Sequence, residues 1–168
     1  FGNLFEQVAK FRAGRGLWAQ IVKERYGATR PGSMWMRMIA GGGGGGLTFE
    51  QPELNIVRGA YYALISALSG AQTMALCCYD EAYTIPSEYA QRISLRTMQL
   101  LIEEMGLCDT VDPLGGSFYV ETLTNRMEEQ ILDAMRVVEE AGGMYAAVAA
   151  GVVQKRIGES ARAFQESV

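Results

Sequence analysis

Two adjacent carboxylates, Asp80 and Glu81, follow an apolar segment of strand length at residues 72–79. If that segment is a strand of a parallel sheet, both carboxylates lie at the carboxyl edge, where α/β proteins place their ligand-binding loops. Carboxylates at such an edge suit hydrogen bonds to ligand hydroxyl groups or acid–base work. The alternative is that they begin a solvated loop or stabilise the N-terminus of the next helix. The residue types alone leave both interpretations open.

A run of six glycines at residues 41–46 follows another apolar segment, residues 33–40. Residues without a Cβ allow a large flat ligand to approach the backbone closely. A phosphate-binding P-loop requires Lys followed by Ser or Thr after the glycines, and Leu47-Thr48 stands there instead. A dinucleotide fingerprint is weakly indicated, because a glycine run matches any glycine pattern. A flexible surface loop is the plain alternative.

Other nucleophiles and metal ligands are few. The chain has no histidine, which excludes a Ser-His-Asp or Cys-His mechanism and a His-ligated metal site within these residues. Its three cysteines, Cys77, Cys78 and Cys108, form no disulfide framework and are typical of reduced thiols in a cytoplasmic protein. Strand geometry directs Cys77 and Cys78 to opposite faces, which favours core packing over a metal site.

The elements that must position these residues alternate in type. Apolar residues at helical spacing predict four helices, the second begun by a capping box at Thr48 and Gln51, and one or two more helices in the tail at 144–166. The predicted helices are residues 3–26, 48–69, 86–105 and 120–141. Short apolar runs predict strands at 33–40 and 72–79, and a third short strand with a glycine-rich turn within 108–120. This alternation predicts an α/β fold with a parallel sheet, as one piece of a barrel or of a doubly wound sheet.

The composition limits the class of protein. Of 168 residues, 49% are hydrophobic and 20% are charged, with a net charge of −4 and no basic patch. These values predict one globular core and argue against a nucleic-acid partner. No apolar stretch reaches the ~18 residues of a membrane-spanning helix, so we expect no membrane partner. The chain begins with Phe1 rather than Met, which we take as an indication of a part of a longer protein.

Five segments together resemble the adenosylcobalamin-dependent acyl-CoA mutases of the methylmalonyl-CoA mutase family. They occur in the family's order over nearly the whole chain, and their joint match is far more specific than any one of them. The segments are residues 11–19 (FRAGRGLWA), 47–58 (LTFEQPELNIVR), 71–87 (AQTMALCCYDEAYTIPS), 112–121 (DPLGGSFYVE) and 142–144 (GGM).

The resemblance implies an architecture and a reaction. It implies that residues 1–168 are the C-terminal βα units of a TIM-type (β/α)8 barrel followed by C-terminal helices, without the cobalamin-binding domain. In this family an acyl-CoA threads the barrel and adenosylcobalamin caps its carboxyl end. Homolysis of the Co–C bond gives a radical that starts the rearrangement of the carbon skeleton. A cobalamin-binding domain or small subunit is the implied partner, in a hetero- or homo-oligomer.

The resemblance also assigns site residues by position. Glu81 matches the family glutamate that binds the adenosyl ribose, Gly44 matches the glycine that lies against the corrin, and Thr84 matches a small residue near the cofactor. Gly41 and Cys77 occupy two further cofactor-facing positions. The resemblance brings no catalytic residue and no metal ligand into these residues, because the substrate-binding segments and the lower axial histidine of the family have no counterpart in them.

Several cofactor-facing positions depart from the family pattern. Ile39, Gly41 and Gly45 stand where many members have His, Gln and Trp, and Ala75 and Cys77 stand where they have His and Asn. The losses of volume and polarity predict a roomier, more apolar pocket for a bulkier acyl group. The alternative prediction is a non-catalytic barrel subunit that partners an active chain.

Overall fold

A computed structural model describes residues 2–107 and 109–167. Two units divide the chain, the first comprising residues 1–128 and the second starting at Glu129. The elements, in chain order, are α1 (Leu4–Glu24), β1 (Ile39–Gly42), α2 (Leu54–Leu68), β2 (Thr73–Leu76), α3 (Glu88–Glu103), α4 (Phe118–Glu140), α5 (Met144–Ala149) and α6 (Val152–Ser167). The α/β class is therefore confirmed in its coarse form. Among the described residues, the sheet has two strands and does not close into a barrel.

The sheet is parallel, as the sequence predicts. Ile39 pairs with Thr73, and Gly42 pairs with Leu76 at the other end. α2 connects the two strands and packs against both, and α3 follows β2. Side chains alternate across the strands, so that Ala40 and Gly42 are buried while Ile39 is 69% exposed. One sheet face is thus covered by helices, and the opposite face is open.

The helix boundaries follow local capping chemistry. Asn3 caps α1 by accepting hydrogen bonds from the backbone N–H groups of Phe5 and Glu6, and Gly27 follows the helix with a φ of 66°. Ser87 caps α3 through the N–H of Ala90, as its position after Pro86 predicts. The second predicted helix begins later than expected. Gln51 has a φ of 51° and α2 has no side-chain cap, so the predicted capping box at Thr48 and Gln51 is wrong.

Both predicted strands are shorter than expected, and the third is absent from the described residues. β1 begins at Ile39 because the chain first forms a 3-10 turn at Pro31–Ser33, and it extends into the glycine run instead of ending before it. Residues 109–117 form turns. Asp112 has a φ of 48° and Gly116 a φ of 81°, conformations that no strand ladder accepts. Cys108, the first residue of that prediction, lies outside the described residues.

The second unit is helical. It contains the end of α4 together with α5 and α6, so that the tail, predicted to hold one or two helices, holds two among the described residues. α5 and α6 pack on each other, and apolar side chains including Val138, Ile157 and Phe164 line a groove within this unit. In the part of the chain that the structure describes, no helix has both the length and the apolar character needed to cross a membrane.

Candidate functional site

The carboxyl ends of β1 and β2 bring the predicted site residues to one edge of the sheet. Since the strands are parallel and Gly42 pairs with Leu76, the glycine run and the segment that begins at Cys77 leave the sheet side by side. The first of these two loops is residues 43–47, and the second is residues 77–87. Gly44, Cys77, Glu81 and Thr84 therefore lie on the loops of a single edge, whereas Gly41 lies within β1 itself.

The glycines of the run differ in what surrounds them. A Cβ on Gly41 would collide with the carbonyl oxygen of Ala75, and Cβ atoms on Gly42 and Gly46 would collide with the side chain of Tyr62. Around Gly44 and Gly45, in contrast, no atom of the described residues other than the chain neighbours lies within 4 Å of the place that a Cβ would take. The run is therefore not a uniformly flexible loop, because three of its glycines are required by packing and two present open backbone.

A hydrogen-bonded turn holds the carboxylates after β2. The carboxylate of Glu81 accepts a hydrogen bond of 2.7 Å from the backbone N–H of Cys78. The N–H of Thr84 donates to the carbonyl oxygen of Asp80 at 3.0 Å, which closes the turn around Glu81. Both Glu81 and Thr84 are exposed. The turn thus fixes the backbone while leaving the Glu81 carboxylate accessible to a ligand.

Asp80 has a different role from its neighbour. It is only 4% exposed, and its Oδ2 accepts a hydrogen bond of 2.9 Å from the N–H of Ser87 at the start of α3. Its Oδ1 is buried without a hydrogen-bond partner among the described residues. Of the two carboxylates that the sequence singles out, Asp80 therefore joins the turn to α3, and Glu81 is the one that faces outward.

Cys77 lies between the two loops. Its thiol donates a hydrogen bond to the carbonyl oxygen of Gly42, and burial, followed by the nearby Glu81 carboxylate, raises the pKa of this thiol. Burial likewise raises the pKa of Cys78 to about 11, with Glu81 as the next cause. Both groups are therefore protonated thiols near neutral pH, a form unsuited to nucleophilic attack or metal binding. Because Cys77 interacts with both the Gly42 carbonyl oxygen and the Glu81 carboxylate, the glycine run and Glu81 lie near each other.

Asn55, at the start of α2, connects the segment that follows the glycine run with the loop that follows β2. The sequence did not single it out as a site residue. It is 1% exposed, and its amide donates to the carbonyl oxygens of Thr48 at 2.8 Å and Tyr79 at 2.9 Å. Its Oδ1 accepts from the backbone N–H of Thr48 and from the Arg58 guanidinium. One side chain at the start of α2 thus joins the segment after the glycine run to the loop after β2. The sequence signal for Asn55 was its place in the family-like segment at residues 47–58.

The positions that depart from the family pattern lie on the open side of the sheet. Ile39 and Ala75 are both exposed and lie on the strand face opposite α2 and α3. Gly45 is exposed in the glycine run, and Gly41 and Cys77 are half-buried. The described residues contain no group of three His, Cys, Asp or Glu side chains arranged to hold a metal ion. The edge therefore offers bare backbone and one outward carboxylate as its means of binding.

A third loop is fixed to α1 by ion pairs. The Arg12 guanidinium lies 3.0 Å from Asp112 and 2.9 Å from Glu121. The same Glu121 oxygen accepts the N–H of Gly116 at 2.9 Å. Burial lowers the pKa of Arg12, but the hydrogen bonds and charges of Glu121 and Asp112 together outweigh it and raise the pKa. The Pro and Gly residues of the sequence indicated a turn after Asp112. The ion pairs of Arg12 hold this turn against α1.

Comparison with known proteins agrees with the resemblance in the motifs. The family described as methylmalonyl-CoA mutase matches residues 1–168. The 2-hydroxyisobutanoyl-CoA mutase large subunit of Aquincola tertiaricarbonis is 44% identical over 95% of this chain and 28% of its own length. The methylmalonyl-CoA mutases of Cereibacter sphaeroides and Escherichia coli are 40% and 38% identical over 99% of this chain, which is 23% of each relative. The chain thus spans about a quarter of the length of these relatives.

Proposed function

Since this chain belongs to the methylmalonyl-CoA mutase family, we propose that it forms part of an adenosylcobalamin-dependent isomerase that rearranges the carbon skeleton of an acyl-CoA. The observation that carries this proposal is the juxtaposition of open glycine backbone and an outward carboxylate at one edge of a parallel sheet. Carbon-skeleton rearrangement needs a cofactor that supplies radical chemistry, and adenosylcobalamin supplies it when bound. The residues of this chain bind and orient that cofactor.

The residues present fit a wide, flat cofactor with an attached sugar. A Cβ built on Gly44 or Gly45 would have no atom of the described residues within 4 Å, apart from the chain neighbours. A macrocycle can therefore approach the backbone there. The Glu81 carboxylate is exposed and has already one backbone donor, the N–H of Cys78, that fixes its position. A carboxylate held in this way accepts hydrogen bonds from ribose hydroxyl groups. Thr84 lies at the end of the same turn, where its N–H donates to the carbonyl oxygen of Asp80.

The fold supports a barrel as the wider context. We propose that β1 with α2 and β2 with α3 are two consecutive βα units of a TIM-type barrel, and that α4, α5 and α6 belong to its C-terminal helices. The open face of the sheet, with Ile39 and Ala75 exposed, corresponds to the inside of such a barrel. Residues 1–168 would then be one part of the catalytic barrel domain, and a cobalamin-binding domain or small subunit would be its partner.

The acyl group is the finer part of the proposal. Where many members have His, Gln, Trp, His and Asn, this chain has smaller or apolar residues at positions 39, 41, 45, 75 and 77. These changes favour an acyl group bulkier or more branched than methylmalonyl. The relative at 44% identity is named for a branched hydroxy-acyl substrate, 2-hydroxyisobutanoyl-CoA, which agrees with this direction.

A binding titration tests the proposed cofactor site. We expect Glu81→Gln, in the complete enzyme, to weaken adenosylcobalamin binding by about 10-fold to 100-fold, because it removes hydrogen bonds to a charged group. Glu103→Gln is the matched control, since Glu103 is an exposed carboxylate at the far end of α3. Equal affinities for the Glu81→Gln variant and the parent enzyme would refute the assignment.

Turnover with a panel of acyl-CoA esters tests the substrate. We expect branched or hydroxylated acyl groups to give a higher kcat/KM than methylmalonyl-CoA. Restoring the common family residues with Ile39→His and Ala75→His, both at exposed positions of the open sheet face, should shift the preference back toward methylmalonyl-CoA. A clear preference of the parent enzyme for methylmalonyl-CoA over every bulkier ester would contradict the proposal.

A further inference from the structure

Tyr62 on α2 lies along the glycine run, between its second and last residues. A Cβ built on Gly42 would lie 2.8 Å from Cγ and 2.9 Å from Cβ of Tyr62, and one built on Gly46 would collide with the Tyr62 hydroxyl oxygen. Real Cβ atoms do not approach other atoms so closely, so neither position accepts a side chain while the ring stays in place. The tyrosine therefore occupies the volume that side chains at 42 and 46 would otherwise fill.

The helix that carries Tyr62 is held independently of the glycine run. Asn55 attaches the start of α2 to the carbonyl oxygens of Thr48 and Tyr79. One turn later, Gly59 packs on the side chain of Leu76, at 3.5 Å from a built Cβ. Ser66 bonds to the carbonyl oxygen of Tyr62 at 2.9 Å. The ring thus projects from a helix whose position is already fixed against β2 and the following loop.

A glycine run has little conformational preference of its own, and ordering it is costly in entropy. Here the 3-10 turn Gly44–Gly46 is closed by a hydrogen bond of 3.0 Å from the N–H of Leu47 to the carbonyl oxygen of Gly44. The side chain of Tyr62 lies against Gly42, at the end of β1, and against Gly46, at the end of that turn, while Gly44 and Gly45 remain open and exposed.

We propose that Tyr62 is a positioning residue that sets the path of the glycine run and so presents the backbone of Gly44 and Gly45 to the cofactor. That the ligand of this backbone is the cofactor rests on the function proposed above. The shaping of the loop by Tyr62 does not depend on that function. The proposal divides the glycines into two kinds. Gly42 and Gly46 are needed because of Tyr62, and Gly44 and Gly45 are needed only for a ligand.

A double-mutant cycle tests whether Tyr62 and Gly46 are coupled. In the complete enzyme, we expect Gly46→Ala alone to lower the urea midpoint of unfolding and to weaken adenosylcobalamin binding roughly tenfold. Adding Tyr62→Ala should recover part of the loss in the urea midpoint, because the smaller side chain makes room for the new methyl group. Cobalamin binding should stay weak in the double variant, because the ring that sets the path of the loop is still absent. Gly45→Ala is the matched control, and its effect on the urea midpoint should simply add to that of Tyr62→Ala.

Tyr62→Phe separates the ring from its hydroxyl group. We expect this variant to keep the parent affinity for adenosylcobalamin and to tolerate Gly46→Ala, because only the hydroxyl oxygen meets that position at the shortest distance. Tyr62→Ala alone should weaken cobalamin binding more than Tyr62→Phe does. Equal affinities of these two variants and the parent enzyme would overturn the positioning role.

The outcomes distinguish this proposal from the proposed function. Additive effects of Gly46→Ala and Tyr62→Ala on the urea midpoint would overturn the role of Tyr62, whatever the enzyme binds. If Gly46→Ala alone does not fold, recovery of folding in the double variant is the expected result, and its failure counts against the proposal. Should the parent enzyme bind no cobalamin, the proposed function fails, while coupling in the urea midpoints still decides whether Tyr62 shapes the loop.

Discussion

The two loops that meet at the carboxyl edge of the sheet are built by opposite means. The turn after β2 is held by directional hydrogen bonds from buried or half-buried polar groups, chiefly Asn55 and Asp80. The glycine run after β1 is shaped by exclusion, because Tyr62 and the carbonyl oxygen of Ala75 occupy the space of missing side chains. A loop of the first kind is sensitive to losing atoms, and a loop of the second kind is sensitive to gaining them.

The largest effect should come from deleting atoms on the hydrogen-bonded side. We expect Asn55→Ala to lower the free energy of unfolding by about 2–4 kcal/mol, because it removes a buried side chain and leaves the part-buried carbonyl oxygens of Thr48 and Tyr79 without their donor. Urea unfolding followed by circular dichroism measures this loss. Asn125→Ala, at an exposed position of α4, is the control. If Asn55→Ala lowers the free energy of unfolding no more than the control does, the hydrogen bonds of Asn55 do not hold the turn.

Adding an atom on the glycine side should have a smaller but clear effect. We expect Gly41→Ala to cost about 1–3 kcal/mol of unfolding free energy, because its methyl group would meet the carbonyl oxygen of Ala75 across the β1–β2 pair. Gly45→Ala, which adds the same methyl group where no atom of the described residues other than the chain neighbours lies within 4 Å, should change stability by less than about 0.5 kcal/mol. Equal losses for the two variants in urea unfolding would show that the run is uniform.

The smallest expected effect is on the pH dependence of stability. It distinguishes the third loop, which ion pairs hold, from the glycine run, which steric exclusion shapes. The hydrogen bond from Arg12 lowers the pKa of Glu121 below its ordinary value, and the N–H of Gly116 adds to this. A carboxylate with a lowered folded pKa contributes stability above its unfolded pKa of about 4.3 and loses it as the pH falls through the folded pKa. We therefore expect the stability difference between the parent and Glu121→Gln to shrink as the pH is lowered from about 7 to about 3.

The same titration supplies its own control. Gly41→Ala should differ from the parent by the same amount at every pH, because no titrating group takes part in that steric contact. A constant difference between the parent and Glu121→Gln across the pH range would show that the Arg12 ion pairs do not hold the third loop.

The sequence predicted most of the helical framework and the common edge of the candidate site. α1 and α3 were predicted within a few residues because Asn3, Ser87 and the glycines beyond the helices act locally. The predicted capping box failed because Asn55 draws Thr48 into a tertiary hydrogen-bond network. Asn55 is seven residues from Thr48, outside the spacing of a capping box, so the pattern does not reveal this partner.

The extent of the strands was also beyond local signals. A run of glycines predicts a loop, yet Gly41 and Gly42 extend β1 because their bare backbone allows close contact with Ala75 and Tyr62. The predicted third strand is turn-like because Asp112 has a left-handed backbone. The assignments of Gly41, Gly44, Cys77, Glu81 and Thr84 to a cofactor stay predictions, and the structure places all five at or beside one edge of the sheet.

The pairing of β1 with β2 has a practical consequence for handling this polypeptide. Within the described residues each strand pairs only with the other, so the outer side of each carries a row of unengaged peptide groups. Such rows act as templates that accept any extended segment in register, including one from a second molecule. We expect these 168 residues, expressed alone, to self-associate through those rows, and we expect a short strand-forming peptide supplied in trans to compete with that self-association.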